Sequence, residues 1–195
     1  MRQITLEELL EAGCHFGHQV TRSNPKARDF IFEARDNIHI IDLAKTKQGL
    51  EDAISFVKDL GSKPGTNLVV VGTKRQAKPI VEESLGVGGD GLFYITNRWV
   101  GGLLTNFAEV SKNFKKLAEL SENVKNPEMR TRYTKKEIGL WDKERQKLEG
   151  FYGGIAKLEK KPDALFIIDS HLEDLAVREA QIGRASCRER VYVLV

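Results

Sequence analysis

This chain of 195 residues has few cysteines, little net charge and no long apolar run. Cys14 and Cys187 are its only cysteines, too few and too far apart for a disulfide framework or a four-cysteine zinc site. No run approaches the roughly 18 apolar residues of a membrane helix, and the first twenty residues carry acids where a secretion signal is basic and apolar. We therefore expect a cytoplasmic protein with no membrane partner.

The overall charge does not identify a partner. The chain has 31 basic and 28 acidic side chains, a formal net charge of +3. A protein that binds nucleic acid through its global charge is much more basic than this. Residues 182–195 contribute two of these three charges, because they hold three arginines and one glutamate. An anionic partner must therefore be recognised by local groups of cations.

The N-terminal part is predicted to contain a helix, a polar loop, a β-hairpin and a second helix. Thr5 and Glu8 have the spacing of a capping box at the start of the first helix. Residues 17–28 are polar and basic, which predicts a loop. Two β-rich runs flank residues 35–37 and predict a hairpin. Residues 43–60 place their apolar side chains on one helical face.

The following part alternates strands and helices, which predicts an open α/β sheet covered on both faces. Residues 68–71 and 164–168 are continuously apolar, as parallel strands buried on both faces are. Residues 92–95 resemble a third strand. Residues 77–85 and 172–180 have helical patterns.

A helical hairpin is predicted to interrupt this alternation. Apolar residues recur at 3-4 spacing from Phe107 to Val124 and again from Ile138 to Ile155, with Asn-Pro between the two runs. Two such helices joined by a short connection fold back as an antiparallel coiled coil. An arm of eighteen residues would extend about 27 Å.

Two glycine-containing segments suggest phosphate binding, and only one has the right context. Gly86, Gly88 and Gly91 match G-x-G-x-x-G, but a helix precedes them and a strand follows, so a surface loop is the better interpretation. Lys74 and Arg75 follow a strand and precede a helix, where α/β proteins bind phosphates. The spacing is not that of a nucleotide P-loop, and a solvated turn fits this segment equally well.

Arg98 and Trp99 form a second candidate contact, next to Gly101 and Gly102. Arginine pairs with phosphates and tryptophan stacks on bases. A buried tryptophan with the arginine folded over its face explains the pattern equally well.

A basic group at the end of the hairpin favours contact with RNA phosphates, although many exposed helices are simply rich in lysine. Glu119, Glu122 and Glu128 are the acids that oppose it. The cations between residues 111 and 136 are Lys112, Lys115, Lys116, Lys125, Arg130, Arg132, Lys135 and Lys136.

Cys14, His15 and His18 form a weak candidate for a metal site. Structural zinc takes four ligands, normally from two separated pairs, and no second pair occurs here. Side-chain packing or a backbone hydrogen bond is the better explanation. We expect no metal and no cofactor.

Eight segments carry a resemblance to one known family over residues 3–180. They are residues 9–18 (LLEAGCHFGH), 24–26 (NPK), 30–32 (FIF), 38–43 (IHIIDL), 71–77 (VGTKRQA), 97–107 (NRWVGGLLTNF), 135–137 (KKE) and 162–169 (PDALFIID). In this order they resemble the bacterial small-subunit (30S) ribosomal protein S2 family. The resemblance implies a Rossmann-like or flavodoxin-like three-layer α/β/α parallel sheet, residues 1–104 and 156–181, with an antiparallel coiled-coil hairpin inserted at residues 105–155.

The resemblance also implies a structural and non-catalytic role in translation. The expected partners are small-subunit ribosomal RNA and other small-subunit proteins, including the S1 protein, and no homo-oligomer is expected. Local charge together with this role selects the candidate RNA-binding residues: Arg22, Lys26, Arg28, Lys74, Arg75, Arg98, Trp99, Lys112, Lys115, Lys116, Arg130, Arg132, Lys135 and Lys136.

The alternative is an enzyme that binds a nucleotide or a phosphate metabolite, because a fold does not fix a function. The misplaced glycines, the lack of an acid–base pair at the strand ends and the projecting arm oppose it. A deep pocket at residues 73–76 with a convergent carboxylate would favour it.

Residues 182–195 depart from the family pattern. The amino acids of residues 182–191 are those that the codons ATC GGA AGA GCG TCG TGT AGG GAA AGA GTG would encode, and that nucleotide string resembles a common short-read sequencing adapter. We therefore expect this segment to be an assembly artefact that replaces the true C-terminus. The loss of a strand would leave an exposed sheet edge, and residues 191–195 are β-rich enough to occupy it.

Overall fold

The computed structural model describes residues 4–23, 25–86, 89, 91–126, 132–186 and 192–194. The chain divides into two compact units, residues 1–62 and residues 63–195. Among the described residues, no helix has both the length and the apolar character needed to cross a membrane.

The first unit contains two helices and a small antiparallel sheet. Its elements are α1 (Leu6–Glu11), β1 (Phe16–Gln19), two 3-10 helices (Val20–Arg22 and Pro25–Phe30), β2 (Ile31–Arg35), β3 (Ile38–Ile41) and α2 (Leu43–Gly61). The strand order is β1-β3-β2, with antiparallel pairing throughout.

Local signals in the first unit behave largely as the sequence predicts. The capping box is confirmed, with both hydrogen bonds between Thr5 and Glu8 at 3.2 Å. Asp36 and Asn37 take positive φ values of 50° and 62°, which is the two-residue turn that suits a β-hairpin. The prediction of a loop over residues 17–28 is wrong in part, because β1 and two 3-10 helices lie there. β1 is mostly exposed, so it lacks the apolar alternation by which strands are recognised.

The second unit is a mixed α/β structure built on a parallel sheet. Its elements are β4 (Leu68–Val71), α3 (Ala77–Gly86), β5 (Leu92–Ile95), α4 (Phe107–Lys125), α5 (Lys135–Tyr152), a 3-10 helix (Gly153–Ile155), β6 (Ala164–Ile168), α6 (Asp174–Ser186) and β7 (Tyr192–Leu194). The strand order is β5-β4-β6-β7, and all neighbours are parallel.

The core of the second unit lies around β4, which is buried along its whole length. Val69, Val71 and Ile167 are fully buried and pack with Trp99, Leu103 and Ile155. The three strands predicted in this unit are confirmed at their predicted bounds. β7 occupies the sheet edge beside β6, as the β-rich residues 191–195 predict. α6 begins at Asp174 and continues past Gln181 to Ser186.

α4 and α5 pack against one another. Their contacts include the rings of Phe114 and Tyr152, with centroids 5.6 Å apart, and a hydrogen bond of 3.0 Å from Asn113 to the Tyr152 hydroxyl. Both contacts join the first half of α4 to the last turn of α5. Thr134 caps the N-terminus of α5 in a second capping box, which Glu137 completes.

Gly139 gives a stability prediction for α5. A Cβ added there would meet no heavy atom within 4 Å. Glycine inside a helix costs roughly 0.5–1 kcal/mol relative to alanine. We expect Gly139→Ala to raise the free energy of unfolding by about that amount in a urea titration. An unchanged or lower free energy of unfolding would show that a side chain at residue 139 meets a neighbour that is absent from the structure.

Candidate nucleic-acid interface

The loop after β4 places Lys74 against a carboxylate. The strand order puts the C-terminal ends of β4 and β6 side by side at the point where the chain crosses the sheet, and ligands of open α/β sheets bind in that crevice. Here Lys74 Nζ lies 2.9 Å from Asp169 Oδ2, and the Thr73 hydroxyl donates to Glu173. The polar side chains in the crevice thus form their hydrogen bonds and ion pair with one another.

The ion pair stabilises the ionised form of Asp169. Burial alone would raise the pKa of this carboxyl group, but the hydrogen bond from Lys74, the Leu172 and His171 backbone amides and the Lys74 charge outweigh it. The pKa of Asp169 is therefore lowered, and the group is ionised at neutral pH. Asp169 also takes a φ of 72°, a left-handed conformation that is uncommon for residues other than glycine.

Two grooves stand out in the described part of the chain, with volumes of about 360 and 410 Å³. Both are lined by residues between Leu6 and Ala44, in the first unit. Residues 73–76 line neither groove. Neither groove is therefore the pocket at residues 73–76 that would favour an enzyme.

Trp99 is a core residue in the structure. Only 4% of it is exposed, and its indole Nε1 donates a hydrogen bond of 2.9 Å to Glu179. The sequence allowed either a tryptophan that stacks on a base or a buried tryptophan. In the structure Trp99 is buried, so its ring offers no open face to a base. Arg98 itself is exposed.

Glu179 of α6 is the acceptor for the whole segment that leads into α4. Besides Trp99, its carboxylate accepts from the backbone amides of Gly102, Leu104 and Thr105 at 2.9–3.1 Å, and from the Thr105 hydroxyl at 3.0 Å. Burial alone would raise the pKa of Glu179. The bonds from Trp99, Thr105, Leu104 and Gly102 outweigh this effect and lower it. The sequence offered no signal for this contact, because its partners are more than seventy residues apart.

The candidate cations fall into two groups that the sequence could not separate. Lys112 pairs with Glu109 at 2.7 Å, Lys116 pairs with Glu144, and Lys74 is held by Asp169. A second group is exposed and forms no ion pair with any residue that the structure describes. It comprises Arg28, Arg75, Arg98, Lys115, Arg132, Lys135 and Lys136.

Some predicted site residues have no described position. The side chains of Arg22 and Lys26 and the whole of Arg130 lie outside the described part of the chain.

The structure does not assemble a metal site from Cys14 and its neighbours. Cys14 is exposed, and the ring of His15 lies against that of Phe16, with centroids 4.0 Å apart. Within the described residues, no group of three or more histidine, cysteine, aspartate or glutamate side chains is placed to hold a metal ion.

Comparison with known proteins identifies the family. The sequence profile described as "Ribosomal protein S2" matches residues 9–186, which is most of the chain. The chain belongs to the ribosomal protein S2 family. One relative is the protein named "Small ribosomal subunit protein uS2" from Geotalea uraniireducens (strain Rf4), which is 45% identical over 181 residues. The aligned region covers 93% of this chain and 69% of that protein.

Membership of the ribosomal protein S2 family confirms the resemblance that the eight segments carry. All eight segments lie inside the matched range 9–186. The glycine-rich segment at residues 86–91 lies outside these signatures. It follows α3 and precedes β5, so it has the strand and helix in the wrong order for a dinucleotide fingerprint.

Proposed function

We propose that this chain is a structural, non-catalytic component of the small ribosomal subunit that binds ribosomal RNA. The observation that carries the proposal is membership of the ribosomal protein S2 family. The chain is 45% identical, over 93% of its length, to a relative named "Small ribosomal subunit protein uS2". Its partners would be small-subunit RNA and neighbouring small-subunit proteins, including S1. Its location would be the ribosome in the cytoplasm, and it would act as a single copy.

We further propose the finer architecture that the sequence implies. The parallel sheet with α3 and α6 would form a Rossmann-like three-layer domain, and residues 105–155 would be a coiled-coil hairpin inserted between β5 and β6. The ring contact between Phe114 and Tyr152 and the ion pair between Lys116 and Glu144 support this reading, because both join α4 to α5. We also propose that residues 182–195 are a sequencing-adapter artefact. Sequencing of independently cloned genomic DNA decides this point.

The proposed binding mode relies on phosphate contacts made by exposed cations. Contacts to phosphate fix the position of a protein on RNA, and each one releases counterions when it forms. Arg75, Arg98, Lys115, Lys135 and Lys136 are exposed and have no carboxylate partner among the described residues, so their charges are available. Lys74, Lys112 and Lys116 already have carboxylate partners and would contribute less. Trp99 would support the fold and would not stack on bases.

The proposal is tested by incorporation into small subunits from which the S2-family protein has been removed. The full chain is expected to co-sediment with these subunits and to saturate at one copy per subunit. Intact subunits, which already hold the protein, serve as the control and should take up none. A folded chain that fails to co-sediment with the depleted subunits would refute the proposal.

A further inference from the structure

One face of α5 carries three lysines that pair with none of the described acids. Five exposed residues lie on the same side of the helix because they occupy positions i, i+3, i+4, i+7 and i+11: Lys136, Gly139, Leu140, Lys143 and Lys147. We call this set the outer face of α5. None of its three lysines forms an ion pair with a residue that the structure describes.

The acids of α5 are engaged elsewhere. Glu137 closes the capping box with Thr134, and Glu144 pairs with Lys116 of α4. The other two acids, Asp142 and Glu149, both pair with Arg145. Asp142 Oδ1 lies 2.8 Å from Arg145 Nη2, and Glu149 Oε2 lies 2.5 Å from Arg145 Nη1. All four acids of the helix therefore have partners, and none of these partners is a lysine of the outer face.

In α4 only some of the lysines are unpaired, although all of them look equivalent in the sequence. Lys112 and Lys116 both have carboxylate partners, whereas Lys115 and Lys125 form no ion pair with any residue that the structure describes. Cations without an ion pair to a described residue are therefore more numerous on α5, which has four, than on α4, which has two. Lys136 belongs to the basic group that the sequence indicates, whereas Lys143 and Lys147 lie outside that group, on the same face about two and three turns further along.

We propose that the outer face of α5 is the principal surface with which this protein binds the phosphate backbone of ribosomal RNA. The inference rests on the proposed function and specifies its site. Lys136 and Lys143 are about 10.5 Å apart along the helix axis, and Lys143 and Lys147 about 6 Å, so three point charges follow one line of about 16 Å. Such a line suits contacts to a continuous strand of phosphates and carries no base preference.

Gly139 and the packing of the opposite face support RNA as the occupant. Gly139 lies between Lys136 and Lys143 with open space where a Cβ would be, so a backbone can approach the helix closely there. A membrane surface is the less suitable partner. An amphipathic helix binds a membrane through its apolar face, and in α5 the face that carries Tyr152 is packed on Phe114.

The test compares two variants that lose the same charge. The first replaces Lys136, Lys143 and Lys147 with glutamine. The matched control replaces Lys47, Lys160 and Arg178 with glutamine, because each of these cations is exposed or half-exposed and already paired with an acid. The affinity of the full chain for a small-subunit ribosomal RNA transcript is measured across a salt series. Thermal melts confirm that both variants are folded.

We expect the first variant to bind about tenfold to a hundredfold more weakly. The slope of log K against log salt should fall by about 2 to 3, since each phosphate contact contributes roughly 0.7–0.9. The control should keep the wild-type slope to within about one. Equal losses in the two variants, or an unchanged slope in the first, would overturn the outer-face assignment and leave the proposed function standing. A wild-type chain that shows no salt-dependent RNA binding would instead refute the proposed function.

An acidic protein is the remaining class of partner for this face, and the same variants detect it. If the first variant binds the RNA transcript normally but no longer enters depleted subunits, the face contacts a neighbouring protein, and the assignment to RNA is wrong.

Discussion

Glu179→Ala is expected to lower the free energy of unfolding by about 3–5 kcal/mol, because one carboxylate serves five donors. Removing it leaves the Trp99 indole and three backbone amides without an acceptor at a site that is 6% exposed. Each buried polar group without a partner costs about 1–3 kcal/mol, and the costs are not additive. A urea titration followed by the fluorescence of the tryptophans measures the change.

Glu179→Gln separates the effect of charge from that of shape. The amide keeps the size of the side chain but offers one oxygen and turns an NH₂ group toward existing donors, so we expect an intermediate loss. The matched control is Glu83→Gln, an exposed acid of α3, which should leave stability within about 0.5 kcal/mol of wild type. A Glu179→Ala variant as stable as wild type would contradict the hydrogen-bond network described here.

The Glu179 carboxyl group also makes the stability of the fold depend on pH. The pKa of Glu179 is lower in the folded chain than in the unfolded chain, where the pKa of glutamate is about 4.3. Its contribution is therefore complete above that pH and is lost as the pH falls through the lowered folded value. The wild-type chain should lose more stability on acidification than Glu179→Gln does, since glutamine does not titrate. Parallel pH profiles for the two chains would contradict the assignment.

Gly154→Ala should be strongly destabilising, by about 3 kcal/mol or more. The added Cβ would overlap the Tyr94 carbonyl oxygen of β5 and would lie 2.7 Å from Cδ2 of the Tyr94 ring. A strand backbone cannot move away without breaking its pairing with β4, so the collision is not relieved by a side-chain rotation. Soluble yield and the midpoint of thermal unfolding report the effect.

Gly153→Ala is the control for this substitution, because it changes the neighbouring residue of the same 3-10 helix. A Cβ there would meet only Glu149 Cγ at 3.6 Å, which is an ordinary contact. We expect little change in stability. Equal midpoints for the two variants would show that the 3-10 helix does not pack on β5 as the structure has it.

Much of the fold could be predicted because its signals are local. β4 is continuously apolar because the sheet buries it on both faces, and such a run is visible in any sequence. Thr5 and Asp36 act within a few residues of their partners, so capping boxes and hairpin turns need no knowledge of the tertiary structure. β1 was missed because it is held by backbone pairing with β3, which leaves no apolar pattern.

The candidate site could be predicted only in outline, because the availability of a charge is a tertiary property. Lys112 and Lys115 look alike in the sequence, yet Lys112 has a partner in Glu109 at 2.7 Å. The role of Lys116 depends on Glu144 of the other helix. Trp99 has the features of a stacking residue until Glu179, eighty positions away, is seen to hold its indole. The net charge of +3 hides these differences altogether.

The central claim is that this chain is a component of the small ribosomal subunit held by phosphate contacts, and a salt series of the incorporation reaction tests it most directly. The full chain is mixed with subunits depleted of their S2-family protein, and the bound fraction is measured by sedimentation at increasing salt. We predict saturable incorporation at one copy per subunit, with an affinity that falls steeply with salt. A folded chain that does not incorporate, or that binds with no dependence on salt, would contradict the account.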